Sequence, residues 1–379
     1  MKKLTIILIA LLTSQLCFAQ SELDKALIKA KKENKLVFVD TYFTGCIPCE
    51  QMDREVFPNT AVSKTLAKNF VMLKVNVFTE TLGDTIKTQH ILNGFPTFLV
   101  LNGAGNLVAS VAGFKDPGDL ITFLNFAKSK ADKGLIHAGY SVTYNEKNYP
   151  AFYVEFAKTR KGINAANLKE YSDALKDFKA TNSLLPFLIA RSTNEKVSEQ
   201  ILKDYDTYAS LYGEEVLQPV VDKALLSKLQ ANVNSSSSNN DFETFLSSYK
   251  GKFPADRWKI NLQTLGSKFY LEMKKDTAAY LGFAIKNPVL YQYHFTALAN
   301  TMIAKKQLNG TMGTLLLQWA NAIVDENSSM EIIKNAASLN KQLGNNLGYQ
   351  KMIQLAISRA KKYEMPYQKL EASLKAASK

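Results

Sequence analysis

The chain has 379 residues, 46% of them hydrophobic, and a formal net charge of +13. It is longer than one ordinary domain, and its apolar content is enough for two or three buried cores. Its lysines are scattered rather than grouped in runs with aromatic residues, which indicates a solvated basic surface and argues against nucleic-acid binding.

Residues 1–19 have the pattern of a secretory signal peptide. Lys2 and Lys3 precede an apolar run from Leu4 to Leu12, and Cys17 and Ala19 place small residues before a cleavage site after Ala19. An uncleaved anchor is the alternative, but the run is shorter than the roughly 20 residues of a membrane span. No later segment is apolar enough to cross a membrane. We therefore predict an exported chain, located in the bacterial periplasm.

Residues 20–131 predict an α/β domain. Helical spacing of apolar residues alternates with short apolar runs, in the order αβ, αβ, α, ββα. The last two strands flank a glycine-rich turn at 102–106, so we expect them to pair antiparallel. Asp116 and Pro117 then supply the cap and first turn of a final helix. The predicted strands cover 36–39, 71–77, 97–101 and 107–111.

Residues 132–150 lose this periodicity and predict a linker, and residues 151–379 predict an all-α region. Two apolar stripes at helical spacing recur at a 34-residue offset, which aligns Trp319 with Ile353 and Ala322 with Ala356. Tetratricopeptide-like hairpins would explain the offset, and chance alignment of alanine-rich helices is the alternative. The Ser/Asn tract at 232–240 predicts a surface loop. An aromatic group fits either a binding surface or a core: Tyr291, Tyr293 and Phe295.

The cysteines carry the clearest chemistry. Signal cleavage would leave only Cys46 and Cys49, two residues apart, in an oxidising compartment. The motif Cys46-Ile47-Pro48-Cys49 follows a predicted strand and opens a helix. The helix N-terminus favours negative charge, so Cys46 should ionise more readily than a free thiol of pKa ~8.5 and act as the attacking thiolate. Cys49, one turn later, is the predicted resolving thiol.

A structural disulfide, half of a zinc site and a chance pair are the alternatives to redox chemistry. The three histidines, His90, His137 and His294, stand alone without the spacing of zinc ligands. A bridge across so few residues would restrict the unfolded chain little. We therefore expect a redox dithiol, with no metal and no cofactor.

With this motif in place, Ser21 to about Lys130 resembles the thioredoxin family. Asp40 lies six residues before Cys46, as the buried aspartate of that family does, and Lys74 matches the lysine packed near it. The resemblance implies that Asp40 accepts the proton of Cys49. It predicts a thioredoxin-like α/β domain followed by the helical region.

Gly94-Phe95-Pro96-Thr97 resembles the cis-proline loop of the same family. The resemblance implies a cis bond between Phe95 and Pro96, and backbone groups of Phe95, Pro96 and Thr97 that bind a substrate peptide. Two positions differ from typical thioredoxins: Gly45 replaces a tryptophan, and Ile47 replaces a glycine. The stretch from Asp53 to Phe57 instead resembles exported, specialised thioredoxin-like proteins of bacteria.

Two functions remain open at this stage. The first is a thiol–disulfide oxidoreductase that acts on protein thiols or disulfides, favours reduction and needs an unidentified recycling oxidoreductase. Pro48 before the second cysteine, with no histidine in the motif, favours the reducing direction. The second is a helical-array binding protein whose thioredoxin-like domain only docks peptides or supports the structure.

Overall fold

The computed structural model describes residues 21–234, 236–288, 293–304, 308 and 310–377. The predicted signal peptide at 1–19 lies outside these residues, as do Tyr291 and the side chain of Tyr293. Within the described part of the chain, no helix is long and apolar enough to span a membrane.

Up to residue 132 the chain alternates helices and strands in the predicted order αβ, αβ, α, ββα. Local signals start the helices: Ser21 forms a capping box with Asp24, and Asp116 accepts a hydrogen bond from the Asp119 N–H. The helix predicted after the cysteines becomes a π-helical turn after Gln51. The elements are α1 (Glu22–Glu33), β1 (Leu36–Tyr42), α2 (Ile47–Gln51), the π-helical turn (Met52–Val56), α3 (Thr60–Asn69), β2 (Phe70–Asn76), α4 (Thr81–Gln89), β3 (Thr97–Leu101), β4 (Leu107–Ala112) and α5 (Pro117–Asp132).

The four strands form one mixed sheet in the order β2-β1-β3-β4. β1 and β2 are parallel, and β3 is antiparallel to both β1 and β4, so the predicted β3–β4 hairpin is confirmed. The register pairs Asp40 with Lys74 on one side and with Phe98 on the other. Alternate strand residues face opposite layers: Phe38 packs with α3 and α5, and Val39 packs toward α1 and α4.

The rest of the described chain is mostly helical. The two predicted apolar stripes that contain Trp319 and Ile353 are buried, as their spacing predicts. Ala356 is buried whereas Ala322 is exposed, so the 34-residue offset does not extend to that pair. The helices are α6 (Ala151–Thr159), α7 (Ala165–Ala174), α8 (Leu185–Ala190), α9 (Glu195–Lys203), α10 (Tyr205–Tyr212), α11 (Glu214–Asn232), α12 (Asn239–Lys250), α13 (Ala255–Gly266), α14 (Thr277–Lys286), α15 (Tyr293–Ala304), α16 (Gly310–Ile323), α17 (Met330–Gln342), α18 (Asn346–Lys362) and α19 (Gln368–Ala377), with a π-helical turn at Ser267–Met273.

The segment 133–150 packs against both parts of the chain. The His137 N–H donates to the Leu107 carbonyl of β4 at 2.7 Å, and the Tyr140 hydroxyl donates to the Tyr212 carbonyl at 2.9 Å. The core on the Val39 side of the sheet continues without interruption into the core of the helical region. Phe295 is buried within that core. The helical region is therefore packed directly on the α/β part.

Helix α18 contacts α5 through one buried arginine. Arg359 Nη2 donates to Asp116 Oδ1 at 2.9 Å and to Asp119 Oδ1 at 2.6 Å. Gly118 permits this close approach, because a Cβ there would lie 2.7 Å from Arg359 Nη2 and 2.6 Å from the Tyr363 ring. Helix α18 is thus held against the first turn of α5.

Candidate redox site

Cys46 and Cys49 form a disulfide at the start of α2, with their Cα atoms 5.2 Å apart. Cys46 caps the helix, and its Sγ accepts a hydrogen bond from the Cys49 N–H at 3.3 Å. The donor and the helix N-terminus would both stabilise negative charge on Cys46 in the reduced state. Only 3% of Cys46 and 4% of Cys49 is exposed, so both cysteines are buried in this disulfide form.

The two departures from typical thioredoxins shape the surface around the disulfide. Gly45 has a φ of +87°, a conformation that side chains rarely adopt, although a Cβ there would meet no atom within 4 Å. Backbone conformation, rather than lack of space, therefore favours glycine over tryptophan at this position. Ile47 is 70% exposed, so the residue after Cys46 presents an apolar side chain to solvent.

Three phenylalanines form an aromatic rim beside the motif: Phe43, Phe78 and Phe95. The Phe43 ring centroid lies 5.3 Å from that of Phe95 and 5.8 Å from that of Phe78. Phe43 is joined to the motif because its carbonyl accepts a hydrogen bond from the Cys46 N–H. Phe78 is about half exposed, so the rim presents apolar surface to solvent.

The loop before β3 has the conformation that the resemblance predicts, since the Phe95–Pro96 bond is cis. The Pro96 carbonyl accepts from the Gly113 N–H at 2.7 Å. The Thr97 N–H and carbonyl both bond to the Thr41 hydroxyl, and Thr97 is buried. Among the described residues, only the backbone of Phe95 in this group of three is unpaired. The backbone groups of Pro96 and Thr97 thus have partners within the chain, whereas those of Phe95 have none among the described residues.

Asp40 carries a buried carboxyl group in the thioredoxin-like part of the chain. Only 2% of it is exposed, and its Oδ1 makes no hydrogen bond within the described residues. Burial raises the pKa of Asp40 from 3.8 to about 7, because loss of water penalises the charged form more than Lys74 stabilises it. Lys74 Nζ lies 3.9 Å from Asp40 Oδ2, so the predicted pair is present but loose.

Known proteins resemble this part of the chain. The family model described as a thioredoxin-like domain matches residues 23–128. Residues 23–128 form a thioredoxin-like domain. The chain is also 35% identical over 98 residues to the thiol:disulfide interchange protein DsbD of Escherichia coli strain K12. The DsbD of Shigella boydii is 34% identical over 98 residues. Each match covers 25% of this chain and 17% of the relative.

Asp53 belongs to the site of the thioredoxin-like domain, although the sequence did not identify it as a site residue. Lys74 Nζ contacts both carboxylate oxygens of Asp53 at 2.5 Å, much closer than it approaches Asp40. Asp53 lies in the π-helical turn after the motif, and such turns are frequent at functional sites. Its charge adds to the rise in the pKa of Asp40. Lys74 is thus paired more closely with Asp53 than with Asp40.

A metal site is not evident in the thioredoxin-like domain or elsewhere in the described chain. Across the residues that the structure describes, no group of three or more His, Cys, Asp or Glu side chains is placed to hold a metal ion. His90 is buried, and burial lowers its pKa to about 4. His137 Nδ1 bonds to the Ser210 carbonyl and Nε2 to Lys130 Nζ. His137 thus uses both ring nitrogens in hydrogen bonds, and His90 packs on the Tyr140 ring.

Proposed function

We propose that the protein is a thiol–disulfide oxidoreductase that reduces disulfides of other proteins outside the cytoplasm through Cys46 and Cys49. The observation that carries the proposal is a disulfide at a helix N-terminus, linked through Phe43 to the cis-proline loop, in a domain that also holds a buried carboxyl of raised pKa. The match to DsbD, whose name is thiol:disulfide interchange protein, supports it. Export rests on the signal-peptide pattern of residues 1–19.

The reaction starts from the reduced dithiol. The Cys46 thiolate attacks one sulfur of the substrate disulfide, that S–S bond breaks, and one substrate thiolate leaves. Cys49 then gives its proton to Asp40, and its thiolate attacks Cys46 Sγ. The mixed disulfide breaks, the second substrate thiolate leaves, and the protein holds the Cys46–Cys49 disulfide. Two electrons have passed to the substrate, so a recycling oxidoreductase must supply two to restore the dithiol.

Asp40 suits the second step because of its environment. With a pKa of about 7, the carboxylate is present at neutral pH and still holds a proton firmly enough to accept one. Lys74 bridges Asp40 and Asp53, and we assign it the role of balancing these two charges. The Phe95 backbone, unpaired within the described residues, offers a donor and an acceptor for an extended substrate segment.

A pull-down with full-length Cys49→Ala tests the proposal. This variant cannot resolve the mixed disulfide, so partner proteins should stay bound through Cys46 on a non-reducing gel and be released by dithiothreitol. Cys46→Ala is the matched control, and it should retain none of these adducts. Partners that remain bound after reduction, equally with both variants, would instead support the helical-array binding protein.

A further inference from the structure

Arg160 reaches the redox site from the helical region. It follows α6 with a φ of 58° and a ψ of 15°, and its N–H donates to the Phe156 carbonyl at 2.8 Å. Glycine or asparagine is the usual residue in this left-handed position, because an ordinary side chain is strained there. The guanidinium carbon lies 6.0 Å from the centroid of the Phe95 ring. A residue of the helical region therefore lies over the residue before the cis-proline.

Arg160 differs from the other arginines of the chain in its polar contacts. Its Nη2 is buried without a hydrogen bond, and it forms no ion pair with any carboxylate in the described ranges. The other four all have polar partners: Arg54 pairs with Glu55, Arg191 donates to the Asn93 carbonyl, Arg257 pairs with Glu214 and Glu215, and Arg359 pairs with Asp116 and Asp119. Arg160 as a whole is partly exposed, and its guanidinium also lies over the Phe156 ring. A buried N–H group without an acceptor is unfavourable unless a ligand supplies one.

The surface around Arg160 has the composition of a protein contact. The aromatic rim of Phe43, Phe78 and Phe95 provides apolar area next to it. Lys87 also lies over Phe78, but its Nζ is already paired with Asp84 at 2.9 Å. Arg160 therefore supplies the charge beside Phe95 that still lacks a counter-ion in the described structure. A carboxylate fits it best, because a guanidinium can bind both carboxylate oxygens at once.

We propose that Arg160 selects partners by binding an aspartate or glutamate close to the partner's reactive cysteine, while apolar residues of the same segment pack on the aromatic rim. This inference rests on the proposed exchange reaction and adds the chemical class of its substrate. It also gives the helical region a direct part in recognition, through a side chain rather than through a separate surface. The partner segment is thus acidic and apolar, and it carries a cysteine in a disulfide.

Synthetic peptides test the selection directly. Each peptide carries one cysteine in a mixed disulfide with 2-nitro-5-thiobenzoate, which is coloured when released. One aspartate is moved through the three positions on either side of the cysteine, and each peptide is matched to one with asparagine. The full-length reduced protein releases the coloured thiol when Cys46 attacks the peptide sulfur. For at least one position we expect the aspartate peptide to react about tenfold faster, the usual effect of a charge-assisted hydrogen bond.

Arg160→Gln should bring that ratio close to one, whereas Lys161→Gln should retain it. Lys161 is the exposed neighbour, so its replacement removes the same charge without touching Phe95. Circular dichroism checks that both variants are folded. The comparison of aspartate and asparagine peptides with the wild-type protein tests the inference without any variant. Ratios near one at every position in wild type, or a ratio that survives in Arg160→Gln, would overturn the inference while leaving exchange intact. Absence of any reaction in wild type would overturn the proposed function as well.

Discussion

Asp40→Asn is expected to gain stability relative to wild type as the pH rises. Its free energy of unfolding, relative to that of wild type, should be about 4 kcal/mol higher at pH 8 than at pH 3.5. Burial raises the pKa of Asp40 from 3.8 to about 7, so the folded state holds this proton more tightly than the unfolded state. The stability due to protonated Asp40 is complete below about pH 4 and is lost as the pH rises through about 7. Asparagine is neutral throughout and avoids this loss.

Urea unfolding of wild type and Asp40→Asn, followed by circular dichroism across this pH range, measures the difference. Titration of His90, whose pKa is lowered to about 4, occurs in both proteins and cancels. Asp53→Asn is the comparison variant. It removes a negative charge and frees Lys74 for Asp40, so it should lower the pKa of Asp40. The loss of stability with rising pH should then be smaller and should end at a lower pH. A stability difference between Asp40→Asn and wild type that does not change with pH would contradict the assignment of a raised pKa.

Arg359→Met is expected to destabilise the protein by about 3 kcal/mol. The side chain of Arg359 is 2% exposed, and its guanidinium pairs with Asp116 and Asp119, which themselves lie close together. Methionine keeps much of the apolar volume but leaves these two carboxylates without their cation. Burial and the neighbouring Asp116 already raise the pKa of Asp119 to about 6 despite Arg359. The loss should appear as a lower urea midpoint at pH 7.5.

Lys361→Met provides the matched control for Arg359→Met. Lys361 lies two residues later on the same helix, and it pairs with Glu371 at 3.0 Å on the exposed side of α18. Exposed ion pairs contribute little, so this variant should unfold like wild type. Equal urea midpoints for Arg359→Met and Lys361→Met would mean that the contact between α18 and α5 does not support the fold.

The sequence predicted the parts of the fold that depend on local pattern. The strand runs, the turn at 102–106 and the Asp116 cap all involve neighbours in the chain, and each appears in the structure. The disulfide and the cis bond were also predicted, the first from the spacing of Cys46 and Cys49 and the second from the resemblance of the Pro96 loop.

The rest of the site depends on distances in space. The π-helical turn sets the direction of Asp53, and nothing in its sequence distinguishes it from an α-helical turn. Lys74 was predicted beside Asp40, yet its closer partner is Asp53, since side-chain pairing is decided after the backbone packs. Arg160 and Arg359 lie far from their contacts along the chain, so only packing of the helical region on the thioredoxin-like domain reveals them.

The most direct test of the redox assignment is the rate at which the reduced protein exchanges with a disulfide peptide. Wild type should form the Cys46–Cys49 disulfide and release the peptide thiols. Cys46→Ala should fall to the background rate, because it removes the attacking thiolate and leaves Cys49 with no mixed disulfide to resolve. Equal rates for wild type and Cys46→Ala would contradict the central claim that this dithiol carries the activity.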